Sequence, residues 1–363
     1  MRVGLLIYGS LDTLSGGYLY DRKLVEHLQD TGDDVEIISL PWRNYAAHLT
    51  DNFSASLLRR LAGSRFDVLV QDELNHPSLF RLNNALQKKV RYPIVSIVHH
   101  LRCSELRPAW QNKLYQKPEH AYLRSVDGFI FNSETTRGVV EGVLGKSRSH
   151  VVAYPAGNRL APQITDAAIA ARIRADGPLK IVFLGSVIPR KNLHTLLDAL
   201  ALIEEDWHLT VIGNLDVEPA YVRRILQQVA QLELSEKVVF TGALNDGPLK
   251  SALHESHVLA LPSSYEGFGI AYLEGMGYGL PAIGSTKGAA HEIITHDVDG
   301  FLVDPSDVEA LSSHLRELIN DRRKLMKMSF AARERYLAHP TWQDSAKKIR
   351  IFLSELRYRR SHA

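Results

Sequence analysis

Glu266 and Glu274 stand eight positions apart in the stretch Glu-Gly-Phe-Gly-Ile-Ala-Tyr-Leu-Glu. Ionised carboxylates accept hydrogen bonds and donate none, so each suits a pair of hydroxyls. The spacing is close to two helical turns and predicts both side chains on nearly one helix face. Gly267 and Gly269 between them let backbone approach a ligand closely. The N–H groups of Gly267, Phe268, Gly269 and Ile270 at the start of that helix suit an anion. A molecule with a diphosphate between two polyols fits such a site. Two glutamates on a solvated helix face need no ligand, so the surroundings decide. An apolar run, His-Val-Leu-Ala-Leu-Pro-Ser at 257–263, leads into the pair, and a helical stretch with Gly275, Gly277 and Gly279 follows. Glycine weakens a helix by about 1 kcal/mol relative to alanine, a penalty that points to close packing or close ligand approach.

The elements that must position this pair are those of an α/β protein. Apolar strand patterns alternate with helical ones along all 363 residues, which predicts largely parallel sheets in two domains. Strands are predicted over 2–8, 34–39, 66–71, 93–98, 127–131 and 150–153 in the first half. In the second they fall at 180–184, 208–212, 237–240, 257–261, 281–284 and 301–303. A helix starts after Asn192, its expected N-cap, with Leu193, Leu196, Leu197 and Leu200 on one stripe. Both halves open alike, on Val-Gly-Leu-Leu-Ile-Tyr-Gly-Ser and on Ile-Val-Phe-Leu-Gly-Ser. Each is a buried strand ending in a glycine loop before a helix, and ligands bind such sheets beyond the carboxyl ends of the strands. The join falls within 154–178, which carries Pro155, Gly157, Pro162 and Gly177. Domains of 1–158 and 159–341 follow, with a closing helix from Trp342 returning to the first. Trp342, Ala346, Ile349, Leu353 and Leu356 form its apolar stripe.

Composition excludes several classes. Hydrophobic content of 45%, charged content of 23% and a net charge of +2 describe an ordinary globular protein with no call for nucleic acid. No apolar run approaches the ~20 residues that span a bilayer. The first residues read as a strand, not a signal peptide, and cytoplasmic residence is the expectation. The lone Cys103 excludes an internal disulfide framework and a multi-cysteine metal site. The basic end, Arg357, Tyr358, Arg359 and Arg360, suits solvent or weak contact with anionic headgroups at the inner face of the membrane.

The block from Ser263 to Pro305, with Glu266, Glu274, Gly-Leu-Pro-Ala-Ile-Gly at 279–284, Glu292 and Gly-Phe-Leu-Val-Asp-Pro at 300–305, resembles the retaining GT-B glycosyltransferases of family 4. Gly185-Ser-Val-Ile-Pro-Arg-Lys-Asn192 is a second match. Gly16-Gly17 and His99-His100 are weaker ones. The likeness covers nearly the whole chain and is loosest between 40 and 120. It implies two Rossmann-like domains facing each other across a cleft, with a C-terminal helix crossing back to the first. It implies transfer of a hexose from a nucleotide diphosphate sugar to an acceptor hydroxyl, with no metal and no other cofactor. GDP-mannose and UDP-hexoses lead as donors. A lipid-linked sugar of cell-surface polysaccharide or glycolipid assembly leads as acceptor. A non-catalytic sugar-nucleotide-binding protein and a sugar-nucleotide epimerase on the same architecture are the alternatives.

By that resemblance, Glu274 binds the ribose hydroxyls and Glu266 those of the donor sugar. Arg190 and Lys191 bind the diphosphate, with Ser186 where many relatives carry arginine. Gly16 and Gly17 approach the donor phosphates from the other domain. Leu244, after the strand Val238–Phe240, lines the base pocket. His99 contacts the donor sugar or orients the acceptor, with His100 as the competing assignment, because alternation along a strand sends neighbours to opposite faces. Asp72, Glu73, Asn75 and His76 are acceptor-pocket candidates or plain loop, and Asn132-Ser133-Glu134 is equally open. Asp297-Val-Asp299 mimics a metal-binding aspartate motif. Its place before Gly300 marks it as turn chemistry instead.

Overall fold

The structure is a computed structural model that describes residues 1–13, 15–104, 108–145 and 148–361. Among the described residues, twelve parallel strands divide equally between two sheets. The first holds β1 (Arg2–Tyr8), β2 (Asp34–Leu40), β3 (Val68–Asp72), β4 (Ile94–Val98), β5 (Gly128–Phe131) and β6 (Ser149–Val152), in the order β2-β1-β3-β4-β5-β6. The second holds β7 (Leu179–Leu184), β8 (Trp207–Ile212), β9 (Val238–Gly242), β10 (Val258–Ala260), β11 (Ala282–Ser285) and β12 (Gly300–Val303), ordered β12-β11-β10-β7-β8-β9. Every strand expected from the apolar runs is present, with ends moved by two residues at most. The inner strands are buried on both faces, which is why they read as continuous apolar runs rather than alternating ones.

Two compact units contain these sheets. One comprises Met1–Pro155 with Pro340–Ala363, the other Ala156–His339. Each is a doubly wound parallel sheet, the Rossmann-like domain that the resemblance implied. In the first unit Leu69, Ile94, Phe129 and Phe131 pack with Tyr122 and Leu123 into the core. The C-terminal helix Trp342–Ser361 belongs to this unit and packs on the helix Gly16–Asp30. All five residues of its expected stripe are buried. Burying a large apolar side chain contributes roughly 1.5–3 kcal/mol, enough to hold the helix against the sheet. Its basic end is partly neutralised. Arg357 pairs with Asp67 at 3.0 Å and Arg360 with Asp127, while Arg357, Tyr358 and Arg359 stay at the exposed surface.

The sequence order reverses between β1 and β3 in the first sheet and between β7 and β10 in the second. Ligands of open α/β sheets bind beside such reversals, outside the carboxyl ends of the strands. In the first unit the loops after β1 and β3 carry Gly16-Gly17 and Glu73–His76, and β4 alongside ends at His99. In the second unit the loops after β7 and β10 carry Ser186–Asn192 and Ser263–Gly269.

Candidate functional site

The glutamate pair does not share a helix face. The helix runs only from Ile270 to Met276, so Glu274 lies on it while Glu266, Gly267, Phe268 and Gly269 form the loop before it. Gly277 and Gly279 fall beyond its end. Gly275 inside it packs so closely on β10 that a Cβ would meet Leu259 Cδ1 at 2.8 Å. With only seven residues, the helix is too short to supply the N-terminal anion cradle expected from the sequence. The loop itself holds Glu266. Its N–H and C=O bond to Lys287 O at 3.4 Å and Ala289 N at 2.8 Å, forming a bridge with Gly288. At Gly288 φ is +84°, and a Cβ would lie 2.1 Å from Glu266 O, so only glycine fits.

Three groups converge on the Glu266 carboxylate. Lys191 Nζ donates to Oε2 at 2.7 Å, Ser263 Oγ donates to the same oxygen at 3.0 Å, and Arg190 Nη1 stands 3.9 Å from Oε1. Burial pushes the Glu266 pKa up, but Lys191 and Arg190 outweigh it and hold the group below the usual carboxylate range. Glu266 is therefore held as the carboxylate, with both close hydrogen bonds on Oε2 and only Arg190, at 3.9 Å, beside Oε1. The cations are placed by a 3₁₀ turn, Pro189–Lys191, stitched to the glutamate loop. Arg190 O accepts from Ser264 N at 2.8 Å, and Arg190 Nη1 donates to Tyr265 O at 3.0 Å. Asn192 occupies the expected N-cap position, but its φ is +60° and its side chain makes no capping bond. Its Nδ2 instead donates to Pro262 O and Pro305 O, at 3.0 and 2.7 Å, and locks the turn onto the segments after β10 and β12.

Glu274 is also buried, and Arg159 contacts its Oε1 through Nε at 3.1 Å and Nη2 at 2.9 Å. Burial raises the Glu274 pKa and Arg159 opposes that rise. Arg159 also pairs with Asp246. This arginine escaped sequence reading because it comes from the segment just after the join, 115 positions from its partner. Ser186 and Leu244 are half-buried in the loops after β7 and β9, and Ile270 is half-buried at the first position of the short helix. Phe268 is buried, its ring 5.8 Å from that of His339. Asp297 adopts φ +63° and pairs with Lys324, while Asp299 accepts from Thr295 N and Arg335. Both are turn residues with cationic or backbone partners.

In the first unit, Gly16 and Gly17 open the helix Gly16–Asp30, capped by Ser15 Oγ accepting from Tyr18 N. His99 lies directly over this turn. A Cβ on Gly17 would meet His99 Cδ2 at 3.2 Å, and Tyr20 packs edge-on against the imidazole at 5.3 Å. His99 Nε2 stands 3.3 Å from Asp21 Oδ1, and Asn132 Nδ2 donates to His99 O at 2.8 Å. His100 is half-buried. Glu73 and His76, the acceptor candidates, are buried rather than open to a ligand. His76 Nδ1 lies 2.9 Å from Glu73 Oε1, and its Nε2 lies 3.1 Å from Tyr45 Oη. Glu119, which sequence reading missed, completes this group and accepts from the N–H groups of Arg102 and Cys103.

Among the described residues of this unit, two trios, Asp21–Asp72–His99 and Glu73–His76–Glu119, each bring carboxylate and imidazole atoms within 4.8 Å of one another. Burial acts on these acids mainly by favouring protons. It pushes Glu73 up to about 8, Glu119 to about 7 and Asp72 to about 6, and it pushes His76 down to about 4.

A family model described as glycosyl transferases group 1 matches residues 166–335. The chain is 26% identical over 313 residues to the MMP alpha-(1->4)-mannosyltransferase of Mycolicibacterium hassiacum, covering 81% of this chain and 72% of that one. It is 28% identical to the GDP-mannose-dependent alpha-(1-6)-phosphatidylinositol monomannoside mannosyltransferase of Mycobacterium tuberculosis, over 48% of this chain and 46% of the relative. The chain thus spans about half the length of that second relative. Among solved structures it is similar to the sucrose-phosphate synthase of Thermosynechococcus elongatus, with a TM-score of 0.85, 20% identity and 99% of both chains covered. The Anabaena HepE structure in complex with UDP and glucose superposes with a TM-score of 0.76 at 19% identity, covering 98% of this chain and 100% of that one. The parallel-sheet units are those of the GT-B fold, and the match to the glycosyl transferases group 1 model lies in the second of them.

Proposed function

We propose that the chain transfers a hexose from a nucleotide diphosphate sugar to an acceptor hydroxyl, with retention of anomeric configuration and without a metal. The observation that carries this reading is the convergence of Lys191, Ser263 and Arg190 on an ionised Glu266 at the β7/β10 reversal. Oε1 of Glu266 accepts a donor-sugar hydroxyl. Arg190 and Lys191 supply the positive charge that a departing diphosphate needs, a preorganised electrostatic role. Glu274, steadied by Arg159 through Oε1, takes the ribose hydroxyls.

Glu266 is committed to hydrogen bonding, which argues against a covalent intermediate on its carboxylate. Displacement on one face of the sugar follows. The bond from the anomeric carbon to the β-phosphate oxygen breaks, the acceptor oxygen bonds that carbon from the same side, and a diphosphate oxygen takes the acceptor proton. The mannosyltransferase relatives favour GDP-mannose as donor, with UDP-hexoses next. They also favour an acceptor in glycolipid or polysaccharide assembly. Among the described residues no helix is long and apolar enough to cross a membrane, so a lipid-linked acceptor would be met at a membrane surface.

The test is thermal stabilisation by GDP, UDP, ADP and CDP, each with EDTA. A nucleotide at a hundred times its dissociation constant adds about 2.7 kcal/mol of stability. One clear responder, followed by transfer from the matching sugar nucleotide with EDTA still present, is the expected result. Silence from all four, or binding without transfer across a broad acceptor panel, overturns the reading.

A further inference from the structure

Asp21 occupies a core position on a helix that is otherwise apolar on that face. Leu24, Val25 and Leu28 follow it at i+3, i+4 and i+7, and all four side chains are buried. Asp21 is 0% exposed, and neither carboxylate oxygen has a hydrogen-bond partner of normal geometry among the described residues. Burying a carboxylate in that state is strongly unfavourable unless a cation compensates. The compensating group is His99, whose Nε2 lies 3.3 Å from Oδ1. Everything around the imidazole then fixes its orientation. Gly17 leaves room beneath it, Tyr20 supports one edge, and Asn132 holds the backbone carbonyl of His99.

We infer that Asp21 is a positioning residue for the transfer reaction: its buried carboxylate holds the His99 ring by its Nε2 edge and leaves the Nδ1 edge for the substrate. The inference rests on the glycosyltransferase reading and adds to it a residue whose role is exerted through another. Burial by itself pulls the His99 pKa down. Asp21, with Asp72 and Glu73 as the other acids facing the ring, outweighs burial and leaves it above the ordinary histidine value. A neutral imidazole could turn or change tautomer. An imidazolium paired to a buried acid keeps both N–H groups in place and presents a hydrogen-bond donor to a sugar oxygen.

The experiment is an NMR titration of the histidine ring in the full chain with no nucleotide bound, comparing wild type with Asp21→Asn and using His99→Gln to assign the signal. The expected wild-type midpoint lies above about 6.5, the free histidine value, and Asp21→Asn lowers it by a pH unit or more. GDP release from GDP-mannose is the second readout. Asp21→Asn should reduce kcat at least tenfold with little change in KM and should move the alkaline limb of the pH profile to lower pH. In a His99→Gln background the same substitution should have no further effect. An unchanged titration in Asp21→Asn, or equal losses in both backgrounds, overturns the inference. If Asp21→Asn does not fold, a wild-type midpoint below 6.5 overturns it alone. Because the titration needs no donor, its failure leaves the glycosyltransferase reading standing. A silent nucleotide screen beside a raised midpoint would instead remove that reading and keep the ion pair.

Discussion

The two units handle buried charge in opposite ways. At the β7/β10 reversal, one carboxylate, Glu266, is surrounded by Lys191, Arg190 and Ser263, so it stays ionised in a dry setting. Beside the β1/β3 reversal, four buried acids, Asp21, Asp72, Glu73 and Glu119, face few cations. There burial raises the proton affinity of Glu73 and Glu119, and the neighbouring acids raise that of His99. Charge balance in the second unit suits a fixed anion site that should be indifferent to pH near neutrality. Excess acid in the first unit suits groups that gain and lose protons in that range.

Breaking the balance at Glu266 should have the largest effect. Glu266→Ala removes the partner of a Lys191 side chain that is only 14% exposed. Removing one member of a buried pair costs on the order of 3–5 kcal/mol. Transfer should fall by roughly a hundredfold or more, the scale seen when one preorganised polar group is lost. Urea unfolding and single-turnover transfer read the two effects. Normal turnover in this variant and in Lys191→Ala would remove the basis of the comparison.

Gly288→Ala leaves every charged group in place and attacks only the backbone that aims Glu266. The new Cβ would sit 2.1 Å from Glu266 O, at a φ of +84°. Backbone strain of this kind costs about 1–3 kcal/mol before the clash is counted. A lower melting temperature with weakened nucleotide stabilisation is expected. A lower melting temperature with full nucleotide response would show that Glu266 is aimed by its side-chain partners instead.

The proton-holding character of the first unit predicts a pH slope. Glu73 and Glu119 have folded pKa values above their unfolded ones, so the folded state binds more protons and stability falls as pH rises toward 8. His76 works in the other direction, since its folded pKa is depressed to about 4, but that contribution is complete by its unfolded value near 6.5. Between pH 6.5 and 8 the buried acids, and His99 with its raised folded pKa, all therefore pull stability down as pH rises. One proton on the pair changes stability by up to about 1.4 kcal/mol per pH unit. Melting curves across that range should decline, and Glu73→Gln should flatten the decline. An equal slope in the variant would place the titrating groups elsewhere.

The smallest effect is expected at Asp297, whose exposed carboxylate pairs with Lys324 on the surface. Asp297→Asn should leave transfer unchanged with and without EDTA. A metal-dependent loss in this variant would restore the aspartate-motif reading that turn chemistry displaced.

Much of this was legible in the chain before folding. The twelve strands follow from apolar runs bounded by glycine, proline and polar turns, because strands buried on both faces have no polar face to obscure the pattern. The closing helix follows from the 3.6-residue spacing of Trp342, Ala346, Ile349, Leu353 and Leu356. Glu266, Arg190 and Lys191 stood out because their types and local order are specific. Asp21 was readable in principle, as an acid on an apolar helical stripe.

What only the tertiary structure decided is which charges meet. Spacing suggested that Glu266 and Glu274 share a helix face, but a glycine bridge holds Glu266 outside a seven-residue helix. Arg159 reaches Glu274 across 115 positions and Glu119 joins Glu73 across 46, and no local period encodes either meeting. Local patterns arise from interactions between near neighbours and survive in sequence. Charge pairing in a buried site depends on distance in space, dielectric environment and backbone aim, which exist only after the strands have taken their order in the sheets.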